Sequence, residues 1–209
     1  LKIDSKDYSD PRYYISVLRK KFTFKYIYIA DLDSIAGSKN NWILLNQILV
    51  SFKEIIFWID GGFSYFSKAR EFESEQKKKC IFNYKIVIGT ESLGLNNFLK
   101  YFTYKKNYIL SLDFNGKEKK WIKKITNFNV IIILMFIKQV GGRGIDWKNL
   151  NKVKKYKNSK NCVVSGGLKF NSDKKKIMKM GYKGILSSNY IQKEISRDLK
   201  KSLNLVSKK

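Results

Sequence analysis

Carboxylates, glycines and small hydroxyls stand directly after short apolar runs seven times in this chain. They occur in Ala30-Asp31-Leu32-Asp33, Asp60-Gly61-Gly62, Gly89-Thr90-Glu91 and Asp113-Phe114-Asn115-Gly116, then in Gly141-Gly142-Arg143-Gly144, Ser165-Gly166-Gly167 and Ser187-Ser188-Asn189. Carboxylates hold or move protons, and glycine lets a backbone N–H approach an anion closely. The chain contains no histidine. Ser-His-Asp and Cys-His nucleophile systems, imidazole acid–base catalysis and His-bearing zinc sites are therefore excluded. Cys80 and Cys162 are its two cysteines, too few and too far apart for a disulfide framework or a Cys-x-x-Cys metal site. The carboxylates remain candidates for acid–base work, and no metal or redox cofactor is expected. Taken singly, each motif is equally a turn.

The elements that must carry these motifs follow from hydrophobic patterning. Short continuous runs rich in Ile, Val, Phe and Tyr predict strands at Tyr26–Ala30, Ile55–Ile59, Lys85–Ile88, Tyr108–Leu112, Val130–Phe136, Cys162–Val164 and Gly184–Leu186, all expected to be buried on both faces. Helical spacing predicts helices at Pro11–Lys20, capped by Ser9-Asp10, and at Asn41–Val50, Ser67–Glu75 and Leu95–Tyr101. It predicts others at Trp121–Thr126, Trp147–Lys155, Ser172–Met180 and Gln192–Leu203. Strand and helix alternate, as in a parallel sheet covered by helices. In a (β/α)8 barrel, the ends of the strands where these motifs collect form the active-site face.

The chain also echoes itself. Phe57-Trp58-Ile59-Asp60-Gly61-Gly62 aligns with Cys162-Val163-Val164-Ser165-Gly166-Gly167, and Lys85-Ile86-Val87-Ile88-Gly89-Thr90 with Lys183-Gly184-Ile185-Leu186-Ser187-Ser188. Two similar half-barrels would produce this. On that repeat, Tyr108–Asp113 should have a counterpart near residue 3, where a polar stretch stands instead. The expectation is one barrel domain over residues 1–209, seven strands of eight, with the first strand missing and the N-terminus incomplete.

Tyr28-Ile29-Ala30-Asp31-Leu32-Asp33-Ser34-Ile35-Ala36-Gly37, Trp58-Ile59-Asp60-Gly61-Gly62, Val87-Ile88-Gly89-Thr90-Glu91-Ser92-Leu93, Leu110-Ser111-Leu112-Asp113 and Val164-Ser165-Gly166-Gly167 together resemble the HisA/HisF family. Within it, the motifs are most similar to the HisA-related branch of methanogens and methylotrophs, associated with one-carbon cofactor gene sets. The resemblance covers roughly residues 9–195. It implies a (β/α)8 TIM barrel with two phosphate sites, one at Gly61, Gly62, Gly89 and Thr90, the other at Gly166, Gly167, Ser187 and Ser188. The isomerase of this family acts on a phosphoribosylformimino-aminoimidazole carboxamide ribotide through two carboxylates. Asp113 matches the carboxylate after the fifth strand and is the catalytic candidate; its plain alternative is a turn or capping Asp. Asp31 and Asp33 match the second-strand motif, as ligand or loop support. Asp60 stands where the histidine enzyme often has Gly, so no role carries over to it. The first-strand Asp has no counterpart. After the sixth strand, Gln139-Val140-Gly141-Gly142-Arg143-Gly144 replaces the isomerase pattern; Arg143 could reach an anionic substrate or simply be an exposed loop residue.

Lys and Arg number 43 against 17 Asp and Glu, a net charge of +26, but 38 of the 43 are Lys. Lys, Ile, Asn, Phe and Tyr have A/T-rich codons and dominate the chain, so genome bias accounts for the charge without a nucleic-acid partner. A positive surface still attracts anionic metabolites. The longest apolar run, Val130 to Ile137, is too short for a membrane span. The expectation is therefore a cytoplasmic enzyme acting on a small phosphorylated metabolite by isomerase-type chemistry, in histidine biosynthesis or a related one-carbon pathway. A degenerate barrel that binds a phosphate ligand or a partner without catalysis is the alternative, with nucleic-acid binding behind it. A barrel lacking a strand has unpaired edges, so an oligomer is also expected.

Overall fold

Pro11 opens α1 (Pro11–Lys21), and the Asp10 carboxylate caps it by accepting the Arg12 N–H at 2.8 Å, since proline at the first helical position sacrifices no hydrogen bond. This computed structural model describes residues 10–91, 93, 97–98, 101, 107–116, 118–125, 129–136, 143–156, 159–188 and 191. Most of the expected helix at Leu95–Tyr101, all of Gln192–Leu203, and Gly141 and Gly142 lie outside them. By its internal contacts the chain divides into two compact units, Leu1–Ile88 and Gly89–Lys209.

In the first unit α1 leads to β1 (Tyr26–Ala30), a single-turn helix α2 (Leu32–Ile35), α3 (Trp42–Ser51), β2 (Ile56–Asp60), α4 (Phe66–Lys78) and β3 (Tyr84–Gly89). β1 pairs with β2 and β2 with β3, both parallel, in a register that sets Ala30 against Asp60 and Asp60 against Val87. Phe72 on α4 is fully buried, with its ring 5.3 Å from that of Trp42, 5.6 Å from Phe63 and 5.5 Å from Tyr84. It thereby ties α3, α4 and β3 to one centre. The Asn83 amide donates to the carbonyls of Leu49, Phe52 and Ile55, closing the C-terminal end of α3.

In the second unit β4 (Tyr108–Asp113), α5 (Glu118–Ile125), β5 (Ile132–Met135), α6 (Trp147–Tyr156), β6 (Cys162–Ser165), α7 (Asn171–Lys179) and β7 (Gly184–Leu186) follow one another. β4 to β7 pair in chain order and all in parallel. Ile109, Leu110, Leu112, Ile132, Ile133, Leu134, Cys162 and Val164 are fully buried. The Asp173 carboxylate accepts the N–H of Phe170 and caps α7. The repeated parallel β/α succession is that of a TIM-like (β/α) barrel.

Two expectations need correcting. Strands were expected to be buried on both faces; β4 and β6 are, but β1 and β7 are only half-buried. Among the described residues of its own unit, each of these two pairs along one side only, and a strand with one neighbour keeps solvent along its other side. The stretch after β1, where apolar patterning predicts no element, forms α2. Asp31 supplies its cap, accepting the Ser34 N–H at 3.2 Å.

Candidate functional site

Four strand ends are held in register by the first residue past the strand. Within the first unit the Asp31 N–H donates to the Asp60 carbonyl. Within the second, the N–H groups of Thr90, Phe114 and Phe136 donate to the carbonyls of Ser111, Met135 and Ser165. The polar residues that follow are thus placed by the sheet rather than by the loops.

Asp113 ends β4 and is 6% exposed. Its Oδ2 accepts the Thr90 hydroxyl at 2.9 Å and the Glu91 N–H at 3.1 Å. The same Thr90 oxygen accepts the Asp113 N–H at 2.9 Å, so one hydroxyl grips both the backbone and the carboxyl of the same residue. Oδ1 has only a long 3.5 Å contact from the Ser111 hydroxyl. Burial pushes the Asp113 carboxyl above the ordinary carboxylate range, and the Glu91 carboxylate adds to this. The Thr90 and Glu91 hydrogen bonds oppose the shift without cancelling it. A Cβ placed on Gly89 would stand 3.8 Å from Asp113 Oδ2 and 4.0 Å from Glu91 Oε1. Gly89 therefore opens a small face onto which both carboxylates look.

In the first unit Asp31 is buried and fully engaged. Its Oδ2 accepts the Asn41 N–H at 2.9 Å, and its Oδ1 accepts the Asn41 amide at 2.7 Å as well as the Ser34 N–H. The Asn41 amide also reaches Asp33 at 3.2 Å, and Lys39 lies 3.4 Å from the same carboxylate. Those two contacts, Asn41 foremost, hold Asp33 below its ordinary value. Asp60 accepts the Tyr28 hydroxyl at 2.9 Å. The Gly61 carbonyl accepts the Ser34 hydroxyl at 2.7 Å and the Lys68 ammonium at 3.2 Å, and Lys68 donates to Ser34 as well. Gly62 has φ +60°, and a Cβ there would come within 2.6 Å of the Ser34 carbonyl oxygen. Close packing against α2 is thus a structural reason for glycine at this position.

In the second unit Ser165 lies opposite Leu186 in the β6–β7 register, so Gly166-Gly167 and Ser187-Ser188 leave the sheet side by side. Gly166 and Gly167 have φ of +93° and +80°, which only glycine adopts without strain. Among the described residues, their N–H groups meet no acceptor. Arg143 is exposed. Of the expected phosphate residues, Gly166, Gly167, Ser187 and Ser188 share one unit, whereas Gly61 and Gly62 belong to the first unit and Gly89 and Thr90 to the second.

Sequence reasoning missed the roles of Glu91, Asn41 and Lys68. Glu91 was visible inside Gly89-Thr90-Glu91, but nothing in its spacing from Asp113 shows that they meet. It also missed an open cavity of about 310 Å³ in the second unit, lined by Phe114 and Phe136 together with Glu118, Asp146, Lys148 and Lys152. The chain matches no family model and no curated protein.

Proposed function

We propose that this protein is a HisA/HisF-like enzyme that performs isomerase-type acid–base chemistry on a small phosphorylated metabolite, with Asp113 as the proton donor. The observation that carries this reading is the Asp113 carboxyl: buried at a strand end, locked through one oxygen, and shifted toward its protonated form. A carboxyl that holds its proton more tightly than an ordinary carboxylate suits a donor for opening a sugar ring or polarising a carbonyl. The unengaged N–H groups of Gly166 and Gly167, beside Ser187 and Ser188, support a phosphate at that strand end. A phosphoribosyl-like substrate, a cytoplasmic setting, and histidine or one-carbon cofactor metabolism belong to the same proposal.

Thermal unfolding against a panel of ligands tests it, because a ligand that binds only the folded chain raises the midpoint. The panel comprises a bis-phosphorylated ribotide, simple sugar phosphates, inorganic phosphate and single-stranded DNA. The ribotide or a sugar phosphate should stabilise the wild type but not Ser188→Glu, which adds a negative charge at an exposed site without straining the backbone. Stabilisation by DNA alone would overturn the reading in favour of charge-driven nucleic-acid binding.

A further inference from the structure

We propose that Thr90 and Glu91 form a pair that sets Asp113 up as a proton donor, Thr90 by fixing the orientation of the carboxyl and the Glu91 carboxylate by disfavouring its ionisation. Thr90 and the Glu91 N–H fix Oδ2 as the accepting oxygen, and the Glu91 carboxylate across Gly89 keeps the proton on Oδ1. The inference deepens the acid–base reading above and names the residues that would set it.

Four observations carry it. Oδ2 receives two donors, a hydroxyl and a backbone N–H, while Oδ1 has no close one. In a protonated carboxyl the carbonyl oxygen accepts and the hydroxyl oxygen donates, so in the protonated form of Asp113 this pattern leaves Oδ1 as the oxygen that carries the proton. Thr90 accepts the Asp113 N–H with the same oxygen that donates to Oδ2, which ties the carboxyl's orientation to the backbone of β4. In a chain of net charge +26, the one charged group among the described residues that bears on Asp113 is another carboxylate. Two described neighbours of Asp113, Ser111 on its own strand and Met135 opposite it on β5, are uncharged. A carboxyl meant to ionise would be set beside one of the many lysines; a like charge does the opposite. The geometry at Gly89 supplies the path, since both carboxylates stand within about 4 Å of one point there.

Thr90 and Glu91 are therefore positioning residues acting through Asp113, and the test reads Asp113 itself. In protein labelled with ¹³C-aspartate, the Asp113 carboxyl resonance is assigned by its loss in Asp113→Asn and titrated with pH. The wild-type resonance should titrate above the ordinary carboxylate range. Glu91→Gln should move the titration down and Glu91→Lys further down; the Glu91 side chain is exposed, so both variants should fold. Thr90→Val should move it up by removing a donor to Oδ2, and Thr90→Ser should restore the wild-type curve. If the Glu91 variants titrate with the wild type, or if Asp113 ionises in the ordinary range, the tuning pair is wrong even where the protein proves to be an enzyme. If the shifts appear but no phosphorylated ligand binds, the tuning pair stands and the proposed substrate class falls.

Discussion

Asp113 and Gly62 show how differently two residues of the same strand-end motifs are used. Asp113 is a buried acid whose folded state prefers the proton. As pH rises from the ordinary carboxylate range toward its raised value, the native chain holds more protons than the unfolded one, and stability falls. Asp113→Asn removes that dependence. The variant should unfold at a higher temperature than the wild type above neutral pH, the gap closing as pH falls, and scans at several pH values check this. Gly62 is a packing residue. Gly62→Ala should cost about 1–3 kcal/mol from its left-handed backbone alone, with the overlap against α2 adding to that. Gly184→Ala, where an added Cβ meets nothing within 4 Å, should stay within about 0.5 kcal/mol of the wild type, as urea unfolding would show. The sequence made both motifs visible, because a glycine or carboxylate after an apolar run is a local pattern. Which residue is chemical and which is steric depends on contacts such as Thr90 to Asp113 and Gly62 to Ser34, twenty or more positions apart, and no local pattern encodes those.

At the scale of elements, hydrophobic runs located all seven strands within one or two residues. Parallel strands carry an unbroken apolar run, and the runs at Tyr26–Ala30 and Gly184–Leu186 share both ends with β1 and β7 even though these two strands are only half-buried. Boundaries shifted where a polar residue completes the ladder: Asp60, Asp113 and Ser165 each extend a strand that apolar patterning ended earlier. α2 was missed because one turn of helix has no periodicity to detect, and its cap, Asp31, reads equally as a loop residue. Phe72 tests how the elements of the first unit are bound together. Phe72→Ala should cost about 3–5 kcal/mol, whereas Phe82→Ala, at a side chain 71% exposed, should be close to neutral. Denaturant midpoints at constant slope distinguish them.

At the scale of the whole molecule, a net charge of +26 works against compactness through self-repulsion. Raising monovalent salt from about 0.01 M to about 0.15 M shortens the screening length from about 30 Å to about 8 Å and should raise the melting temperature. Single-stranded DNA held at low salt should be released over the same range. A phosphorylated ligand seated by backbone N–H groups should be far less affected. No helix among the described residues is long and apolar enough to cross a membrane. Proton exchange at the substrate carbon reads the role of Asp113 in the intact protein. The protein is incubated in D₂O with each phosphorylated aldose or aminoaldose of the panel, and the hydrogen on the carbon next to the carbonyl or imine is followed by NMR. Wild-type protein should wash deuterium into that position with at least one compound that raises its melting temperature, and Asp113→Asn should abolish the exchange. Stabilisation by a phosphorylated ligand without exchange, or exchange that survives in Asp113→Asn, would contradict the account.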